Sequence, residues 1–285
     1  MANILNGIEL SRQMRNMVAD MCRAFEEKYH HTVGLAIIQV GDNPASTSYV
    51  KNNLRLCKEV GISAYHHKLS AKTSEADIIA LIDRLNADEN VSGILLQLPL
   101  PEGISLQNVA GRISPTKDVD GLNPLSAGNL YMGYPAFAPC TPSGVLELLK
   151  STKTELPGKH AVIVGASNIV GKPLAMLLMR EMATVTVCNI YTKNLAELCR
   201  QGDIVISAAG KADLITKEHV KPGAIVIDVG INFKDKKLVG DVSYDEVAEV
   251  AGWITPVPGG VGPMTVTMLM FNTYAAAIEG KEINK

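Results

Sequence analysis

The chain has 285 residues, of which 47% are hydrophobic and 20% are charged, and its formal net charge is −2. This length accommodates one large or two ordinary domains with a substantial core, and the composition is that of a globular protein. A net charge so near zero argues against a surface that binds nucleic acid or an anionic membrane. No apolar run approaches the ~20 residues of a membrane span, so we expect no transmembrane helix.

The amino terminus and the cysteines both predict a cytoplasmic protein. The first seven residues, MANILNG, lack the basic start and the apolar core of a signal peptide. Five cysteines are scattered through the chain without paired spacing. We therefore expect free thiols in a reducing compartment, and neither disulfides nor a zinc site.

The first half of the chain alternates between helical and strand patterns. Apolar residues recur every three or four positions in the helical segments, whereas the strand segments are short apolar runs. The predicted elements are a helix over 8–30, a strand over 33–40, a helix from Asn43 or Pro44 through Val60 that ends at Gly61, a strand over 64–69, a helix capped by Thr73 or Ser74 that continues through Leu85, and a strand over 91–100. This alternation predicts right-handed βαβ units and a mostly parallel sheet.

The chain changes character over residues 112–142, where glycine, proline and aromatic residues are dense. We interpret this stretch as a crossing between two domains that carries functional loops. A second α/β unit follows, with the pattern of a doubly wound sheet. Its predicted elements are a connecting helix over 143–150, strands near 161–164, 184–188, 203–206 and 224–228, a Pro/Gly loop over 254–265, and a final helix over 266–278.

One stretch of the second unit, VIVGASNIVGKP from Val162 to Pro173, predicts a strand, a tight turn of small residues and a helix. That arrangement points backbone N–H groups and the positive end of the helix at a phosphate. It is a loosened dinucleotide fingerprint, because Ser167 replaces the second glycine and Gly171 comes one place late. An ordinary strand-to-helix turn explains the same stretch, so the motif alone does not identify a nucleotide site.

Three other features could carry chemistry, and each has a structural alternative. Gln97 is a lone amide in an apolar run, so it is either a structural bridge or a site residue. Asp118 and Asp120 lie in the loop KDVDG, which is most often a solvated turn, and no further ligands support a metal site. Tyr49 and Asn53 are four residues apart on a predicted helix and share a face, although a tyrosine there commonly packs in a core or an interface.

Six motifs, taken in order, carry a resemblance to a known family. They are Tyr49-Val50, QLPLP from Gln97, KDVDG from Lys117, PCTP from Pro139, GASNIVG from Gly165 and PVPGGVGPMT from Pro256. In this order they closely resemble the methylenetetrahydrofolate dehydrogenase/cyclohydrolase family. The resemblance extends from Gly7 to the last predicted helix.

The resemblance implies a two-domain α/β enzyme. Residues 1–138 form an N-terminal α/β folate domain, residues 139–264 form a Rossmann-like NAD(P) domain with a doubly wound parallel sheet, and a helix over 265–285 packs back on the first domain. The implied reaction is the oxidation of 5,10-methylenetetrahydrofolate to the 5,10-methenyl form with NADP, or alternatively NAD, followed by hydrolysis to 10-formyltetrahydrofolate. A cytoplasmic homodimer acting on one-carbon derivatives of tetrahydrofolate is also implied, and we expect no metal, nucleic-acid or membrane partner.

The resemblance also assigns roles to individual residues of this sequence. Tyr49 packs along the folate, Gln97 lies beside the reacting carbon, and Asp120 accepts N–H hydrogen bonds from the pterin. The catalytic residues are Tyr49, Asn53, Gln97 and Asp120, and the folate contacts are Tyr49, Gln97, Leu98, Asp120, Pro258 and Gly259. The cofactor contacts are Thr141, Gly165, Ala166, Ser167, Ile169, Val170, Ile190 and Ile231.

The sequence departs from the family on the helix that carries Tyr49. The family has a lysine four residues after the tyrosine, where this chain has Asn53, and often a second lysine where it has Arg55. An amide cannot exchange a proton at neutral pH, so Asn53 predicts that the hydrolysis step is impaired. Alternatively, a small shift of the helix register lets another base serve.

A second departure concerns the ribose of the cofactor. After the second strand of the nucleotide domain, VCNIY from Val187 has neither the acidic residue typical of NAD sites nor the arginine typical of NADP sites. Lys172 and Lys193 are the candidate partners of a 2′-phosphate. Two alternatives therefore stay open: a monofunctional dehydrogenase, and a catalytically impaired paralogue that binds folate or nucleotide.

Overall fold

The computed structural model describes residues 1–283. The strands are β1 Asn3–Ile4, β2 Gly34–Val40, β3 Ser63–Leu69, β4 Gly93–Gln97, β5 His160–Val164, β6 Thr184–Cys188, β7 Ile204–Ser207, β8 Ile225–Asp228, β9 Asn232–Lys234, β10 Lys237–Val239 and β11 Trp253–Ile254. The helices are α1 Gly7–Tyr29, α2 Pro44–Val60, α3 Glu75–Ala87, α4 Leu106–Ala110, α5 Pro124–Met132, α6 Cys140–Ser151, α7 Gly171–Arg180, α8 Leu195–Gln201, α9 Tyr244–Ala248 and α10 Val261–Ile283.

These elements form two compact units. The three-stranded unit comprises Gln13–Cys140 and the last helix from Val266 on, and the six-stranded unit comprises Met1–Arg12 and Thr141–Thr265. The sequence-based division put all of residues 1–138 in one domain, whereas the structure assigns the first twelve residues to the six-stranded unit. The reason is β1, which pairs in parallel with β11 through Asn3 and Trp253.

The three-stranded unit is built on a parallel sheet with the strand order β3-β2-β4. After β2 the chain forms β3 on one side of that strand and then β4 on the other side. The connecting segments therefore diverge between β2 and β4. A parallel bridge from Ile94 to Asp118 continues the sheet beyond β4. Residues of α1, α2 and α10 cover one face, and residues of α3 and α4 cover the other. Loops that follow β2 and β4 therefore meet at the carboxyl edge, where such sheets bind ligands.

The six-stranded unit contains a second parallel sheet, with the order β1-β11-β8-β7-β5-β6. Residues 161–164 of β5 are at most 4% exposed, because helices cover both faces of a doubly wound sheet. The chain diverges between β5 and β7, so the loops after these strands meet at one point. The predicted α/β fold with a doubly wound parallel sheet is confirmed. A separate antiparallel hairpin, β9 with β10, was not predicted.

Two stretches predicted to carry loops also contain helical residues that the sequence analysis did not predict. The stretch over 112–142 contains α5, which is capped by Asn123 Oδ1 accepting the Leu125 N–H at 2.7 Å. Pro124 occupies the first turn of α5, where a missing N–H costs nothing. The predicted loop over 254–265 ends earlier than expected, because α10 already begins at Val261.

The length and composition of α10 alone would suffice to cross a membrane, contrary to the count made from the sequence. The stretch that meets the criterion is Val261–Glu282, with a mean hydropathy of 1.2. However, 61% of its most apolar window is buried inside the protein. Its apolar residues therefore belong to a core, as in the central helices of globular proteins.

Truncating Leu96 tests whether β4 carries the core of the three-stranded unit. Leu96 is 1% exposed, and a Leu→Ala change at such a site costs about 2–5 kcal/mol of unfolding free energy. Leu125→Ala makes the same chemical change at a residue of α5 that is 58% exposed, and we expect a loss of less than about 0.5 kcal/mol. Urea unfolding measures both, and equal losses would contradict the core assignment.

Candidate active site

The first turn of α2 lies at the carboxyl edge of the three-stranded sheet. The Asn43 side chain caps the helix by accepting the N–H groups of Ala45 and Ser46 at 3.0 and 3.1 Å. Ser46 Oγ donates to the Leu98 carbonyl, just beyond β4, over 3.0 Å. This bond fixes the distance between β4 and the next turn of the helix, which carries Tyr49.

A buried amide at the end of β2 holds the same helical turn. Gln39 Nε2 donates to Thr47 Oγ1 at 2.9 Å and to the Gly41 carbonyl at 3.2 Å. Gln39 Oε1 lies 3.0 Å from His66 Nε2. Sequence reasoning missed Gln39, although it is a lone amide in an apolar run, the same signal that selected Gln97.

Gln97 ends β4 in register with Gln39 of β2. Its Nε2 donates to the Leu98 carbonyl at 2.8 Å, whereas its Oε1 is buried and has no hydrogen-bond partner among the described residues. A buried amide oxygen without a partner costs about 1–3 kcal/mol. At the carboxyl edge of a parallel sheet, such an oxygen indicates a group that a ligand completes.

Tyr49 and Asp120 come together at this edge. Burial raises the pKa of the Tyr49 phenol far above its ordinary value, and the nearby Cys140 and Asp120 raise it further. Such charge effects require proximity, so these three side chains form one group, here called the Tyr49 cluster. At neutral pH the phenol keeps its proton and can donate a hydrogen bond.

Asp120 supplies the carboxylate of the Tyr49 cluster. Its Oδ1 accepts the Cys140 N–H at 3.2 Å, and burial raises the pKa of its carboxyl to about 6 against the lowering effect of this bond. Asp118 has a different task, because its two oxygens accept the N–H groups of Leu122 and Asn123 at 3.0 and 2.8 Å. The loop therefore presents one available carboxylate and not a pair of metal ligands.

Asn53 lies one turn beyond Tyr49 on the buried face of α2. Its side chain is fully buried. Neither Oδ1 nor Nδ2 has a hydrogen-bond partner among the residues that the structure describes. The structure thus places Asn53 in the same unit as the Tyr49 cluster, but without a hydrogen bond to the cluster.

The turn between β5 and α7 carries the candidate phosphate site of the six-stranded unit. Gly165 has a φ of +122°, and a Cβ there would overlap the Ala208 carbonyl just beyond β7. A Cβ on Gly171 would overlap the Gly165 carbonyl. Ser167 Oγ accepts the Val170 N–H at 3.1 Å. The turn is lined by backbone and lies where the sheet diverges, as a phosphate site requires.

The other candidate cofactor residues lie in the same unit as this turn. Thr141 Oγ1 is 3.1 Å from Thr265 Oγ1, and Ala166 is partly buried in the turn. Ile169, Ile190 and Ile231 expose their apolar side chains. Exposed apolar groups around a backbone-lined turn suit a ligand that has both phosphate and ring parts.

Pro258 and Gly259 follow β11 in the six-stranded unit, whereas Tyr49, Gln97 and Asp120 belong to the three-stranded unit. Gly259 has a φ of +109°, and its carbonyl accepts the Ile8 N–H at 3.1 Å. The candidate folate residues therefore come from both units.

Sequence reasoning also missed Asp241, a buried carboxylate that organises the loops after β7. Its Oδ2 accepts Ser207 Oγ at 3.0 Å and the Ala209 N–H at 2.7 Å. Its Oδ1 accepts the Lys211 N–H and Asn232 Nδ2, both at 2.9 Å. The carboxylate joins the loop after β7 to the β9–β10 hairpin. A single aspartate between glycine and valine offers little sequence signal for such a role.

Two models of protein families match the chain. The catalytic domain of tetrahydrofolate dehydrogenase/cyclohydrolase matches residues 5–120, and the NAD(P)-binding domain of the same family matches residues 139–281. The chain belongs to the tetrahydrofolate dehydrogenase/cyclohydrolase family. These matches confirm the resemblance that the six ordered motifs carry.

Members of the tetrahydrofolate dehydrogenase/cyclohydrolase family resemble the chain over nearly its full length. The bifunctional protein FolD of Brevibacillus brevis is 51% identical over 278 residues, which are 97% of each chain. The crystal structure of the bifunctional FolD of Campylobacter jejuni is 45% identical, with a TM-score of 0.96 over 98% of this chain and 100% of that one. The FolD structure of Trypanosoma brucei, complexed with NADP and an inhibitor, is 35% identical, with a TM-score of 0.94 over 98% of each chain.

Asp120→Asn should stabilise the free protein near neutral pH. The carboxyl has a pKa of about 6 in the fold against an ordinary 3.8, so the folded state binds its proton more tightly than the unfolded state. Stability therefore falls as the pH rises from about 4 to about 6. About two pKa units correspond to about 3 kcal/mol, the upper limit of the gain at pH 7.5. Thermal unfolding at pH 7.5 and pH 4 measures this gain, and an equal gain at both would contradict the raised pKa.

Asp203→Asn is the control, for which we expect the opposite change in stability. Asp203 accepts Lys221 Nζ at 2.6 Å and the His160 N–H at 2.8 Å, and these contacts lower the pKa of its carboxyl. Asp203 therefore stabilises the fold above its unfolded pKa, and this contribution is lost as the pH falls. Asp203→Asn should lower the unfolding temperature at pH 7.5.

Proposed function

We propose that this protein oxidises 5,10-methylenetetrahydrofolate to 5,10-methenyltetrahydrofolate with NADP and, as a second and slower activity, hydrolyses that product to 10-formyltetrahydrofolate. The observation that carries the proposal is the Tyr49 cluster, in which Asp120 acts on the buried Tyr49 phenol. Gln97, whose buried Oε1 has no partner among the described residues, ends β4 of the same unit. The family resemblance assigns Tyr49, Gln97 and Asp120 to the folate. All three residues belong to the three-stranded unit, which supports this assignment.

Asp120 suits the pterin ring, whose edge carries adjacent N–H donors. A carboxylate has about four acceptor positions, and the Cys140 N–H occupies one of them. The burial that raises the pKa of Asp120 also strengthens each hydrogen bond that its charged form accepts, because little water competes. Ligand donors therefore offset the cost of keeping this carboxylate out of water.

Tyr49 and Gln97 suit the part of the folate that reacts. Tyr49 offers an aromatic face along which a flat ring packs. Gln97 is oriented by its bond to the Leu98 carbonyl, which leaves its Oε1 for the substrate. Hydride loss from the one-carbon bridge depends mainly on alignment, and an amide can orient a substrate without changing its own charge. Pro258 and Gly259 are proposed as further folate contacts.

The six-stranded unit fits NADP, which supplies the hydride acceptor when it is bound. The Gly165 turn allows a pyrophosphate to approach the backbone. The segment Asn189–Tyr191 after β6 has no carboxylate to repel a 2′-phosphate. Lys172 Nζ is held at the turn by Asn168 Oδ1 at 2.7 Å. We assign the cofactor to the set Thr141, Gly165, Ala166, Ser167, Ile169, Val170, Ile190 and Ile231.

The hydrolysis step lacks an evident base. Water adds to the methenyl carbon, a proton leaves the water, and the ring opens to the formyl product. Asn53 cannot take this proton, and raised pKa values keep Tyr49 and Cys140 protonated at neutral pH. Asp120 is the remaining carboxylate of the cluster and is engaged by the pterin. This chemistry supports a dehydrogenase that passes its product on slowly.

We further propose that the protein acts in the cytoplasm as a homodimer. All five cysteines are free and buried, as expected for a reducing compartment. The homodimer rests on the family resemblance. Size-exclusion chromatography with light scattering tests it, and a monomer at micromolar concentration would contradict it.

An absorbance assay tests the dehydrogenase and its cofactor. Incubation with methylenetetrahydrofolate should produce reduced cofactor and methenyl product in equal amounts, with NADP favoured over NAD. One charge-assisted phosphate contact is worth ~1.5–3 kcal/mol, about one to two decades of affinity. Lys172→Gln and Lys193→Gln should show which lysine provides this preference. The Asp120→Asn protein is the inactive control. Folate binding without turnover would support the impaired paralogue instead.

Asn53→Lys should accelerate hydrolysis. A positioned acid–base group contributes ~10²–10⁴-fold to such a step, whereas the hydride step depends on alignment and should change little. The decay of methenyltetrahydrofolate, corrected for its spontaneous hydrolysis, measures the effect. Asn52→Lys adds the same charge one position earlier, at a partly exposed residue whose Oδ1 accepts Arg55 Nη2 at 3.0 Å, and should leave the decay unchanged. Fast decay in the natural protein would show that Asn53 is not the disabling change.

A further inference from the structure

Asn272 of α10 joins two loops of the three-stranded unit. It is 7% exposed, and its Nδ2 donates to the Val119 carbonyl at 2.9 Å and to the Ala138 carbonyl at 3.1 Å. An amide nitrogen has two hydrogens, so these two bonds use its full donor capacity. Each bond goes to a different loop.

The two loops are those that hold the Asp120 carboxylate. The Cys140 N–H donates to Asp120 Oδ1 at 3.2 Å, and Cys140 Sγ donates to the Val119 carbonyl at 3.3 Å. The loops are also in close contact, because a Cβ on Gly121 would crowd the Phe137 carbonyl. Asn272 Nδ2 lies 3.8 Å from Cys140 Sγ, at the point where the loops meet.

We propose that Asn272 is a positioning residue for the folate reaction, which fixes the orientation of the Asp120 carboxylate through Val119, Ala138 and Cys140. It acts from a helix 153 residues beyond Val119 in the chain. The proposal rests on the proposed role of Asp120 as the partner of the pterin. Without the amide, the Ala138 carbonyl loses its Asn272 donor and the Val119 carbonyl keeps only the Cys140 thiol. The loops are then held less firmly, and the carboxylate no longer faces the ligand in one orientation.

A neighbouring residue shows what a purely structural polar group on this helix does. Thr273 is fully buried, and its Oγ1 donates to the Leu269 carbonyl of the same helix at 2.7 Å. That bond stays within α10 and reaches neither loop. Thr273 is therefore the matched control for Asn272, since it is also buried and makes a hydrogen bond with no link to Asp120.

Asn272→Leu removes both donors at similar volume. We expect the KM for methylenetetrahydrofolate to rise about ten-fold, the equivalent of one lost hydrogen bond, while the KM for NADP stays within about two-fold. The acidic limb of kcat/KM should also move to higher pH. The reason is that the Cys140 bond, which lowers the pKa of Asp120, is weakened. A loss of stability alone would move neither quantity.

Thr273→Val should lower the unfolding temperature without changing either KM or the pH limb. Asn272→Ser retains one donor and should give an intermediate KM for the folate. If Asn272→Leu does not fold, the folate KM of Asn272→Ser tests the proposal instead. A folded Asn272→Leu or Asn272→Ser protein with an unchanged folate KM would overturn the proposal, as would equal increases in both KM values.

Amide hydrogen exchange separates this proposal from the proposed function. The Cys140 N–H should exchange at least about ten-fold faster in Asn272→Leu than in the natural protein, whether or not the protein turns over folate. Faster exchange with an inactive natural protein would refute the proposed function while supporting the link from Asn272 to Asp120. Unchanged exchange would overturn the link itself.

Discussion

The desolvated carboxylate of Asp120 is the constraint on which the chemistry of the three-stranded unit depends. Burial disfavours its charged form, and the backbone N–H of Cys140 compensates only in part. Asp241 shows the alternative, since hydroxyl, backbone and amide donors surround its oxygens. A carboxylate whose oxygens are surrounded by donors holds the neighbouring loops in place. Asp120 keeps unused acceptor positions in a largely buried site, so hydrogen bonds from a donor-rich ligand would offset the cost of burying its charge.

The two sheets have the same topological feature, but different groups line it in each. In each, the chain diverges between two neighbouring parallel strands, β2 and β4 in one unit and β5 and β7 in the other. In the six-stranded unit that point is lined by backbone around Gly165, and backbone N–H groups suit phosphate. In the three-stranded unit the side chains of Gln39 and Gln97 lie at the ends of the two strands, and the Gln97 Oε1, which has no partner among the described residues, suits a heterocycle with N–H groups. The same fold rule thus places two chemically different sites.

The sequence predicted those parts of the fold that depend on local pattern. Continuous apolar runs between helical periods indicated the parallel strands, and the small residues around Gly165 indicated the turn. It failed where a long-range pairing decided the outcome. β1 has two residues and exists because β11 pairs with it. This pairing groups the first twelve residues with the six-stranded unit, which no local pattern indicated. The helix α5 was hidden by the surrounding glycine and proline, although Asn123-Pro124 is a recognisable start.

The candidate site was predictable to a similar extent. Gln97 could be found because a lone amide in an apolar run must either find partners or bind something, and Tyr49 and Asp120 came from the family resemblance. No sequence pattern could have found Asn272, since it lies in an apolar helix and its acceptors are more than a hundred residues away. The Tyr49 cluster forms because α2, the loop that carries Asp120 and the start of α6 pack together, which residue spacing does not encode.

The distance of Asn53 from the carboxyl edge of the sheet follows from the direction of α2. The helix starts at the carboxyl edge, with Ser46 bonded to Leu98, and runs toward the amino edge, where β3 begins. At 1.5 Å per helical residue, Asn53 lies about 10 Å further from the carboxyl edge than Ser46. That distance is the length of about three strand residues, counted back along β4 from Leu98. Gln97 lies only one strand residue below Leu98. The four-carbon stem of a lysine could span the remaining distance to the site, whereas the single methylene of an asparagine cannot. Asn53 is thus too short to serve the edge, and its buried amide has no partner within the described residues 1–283.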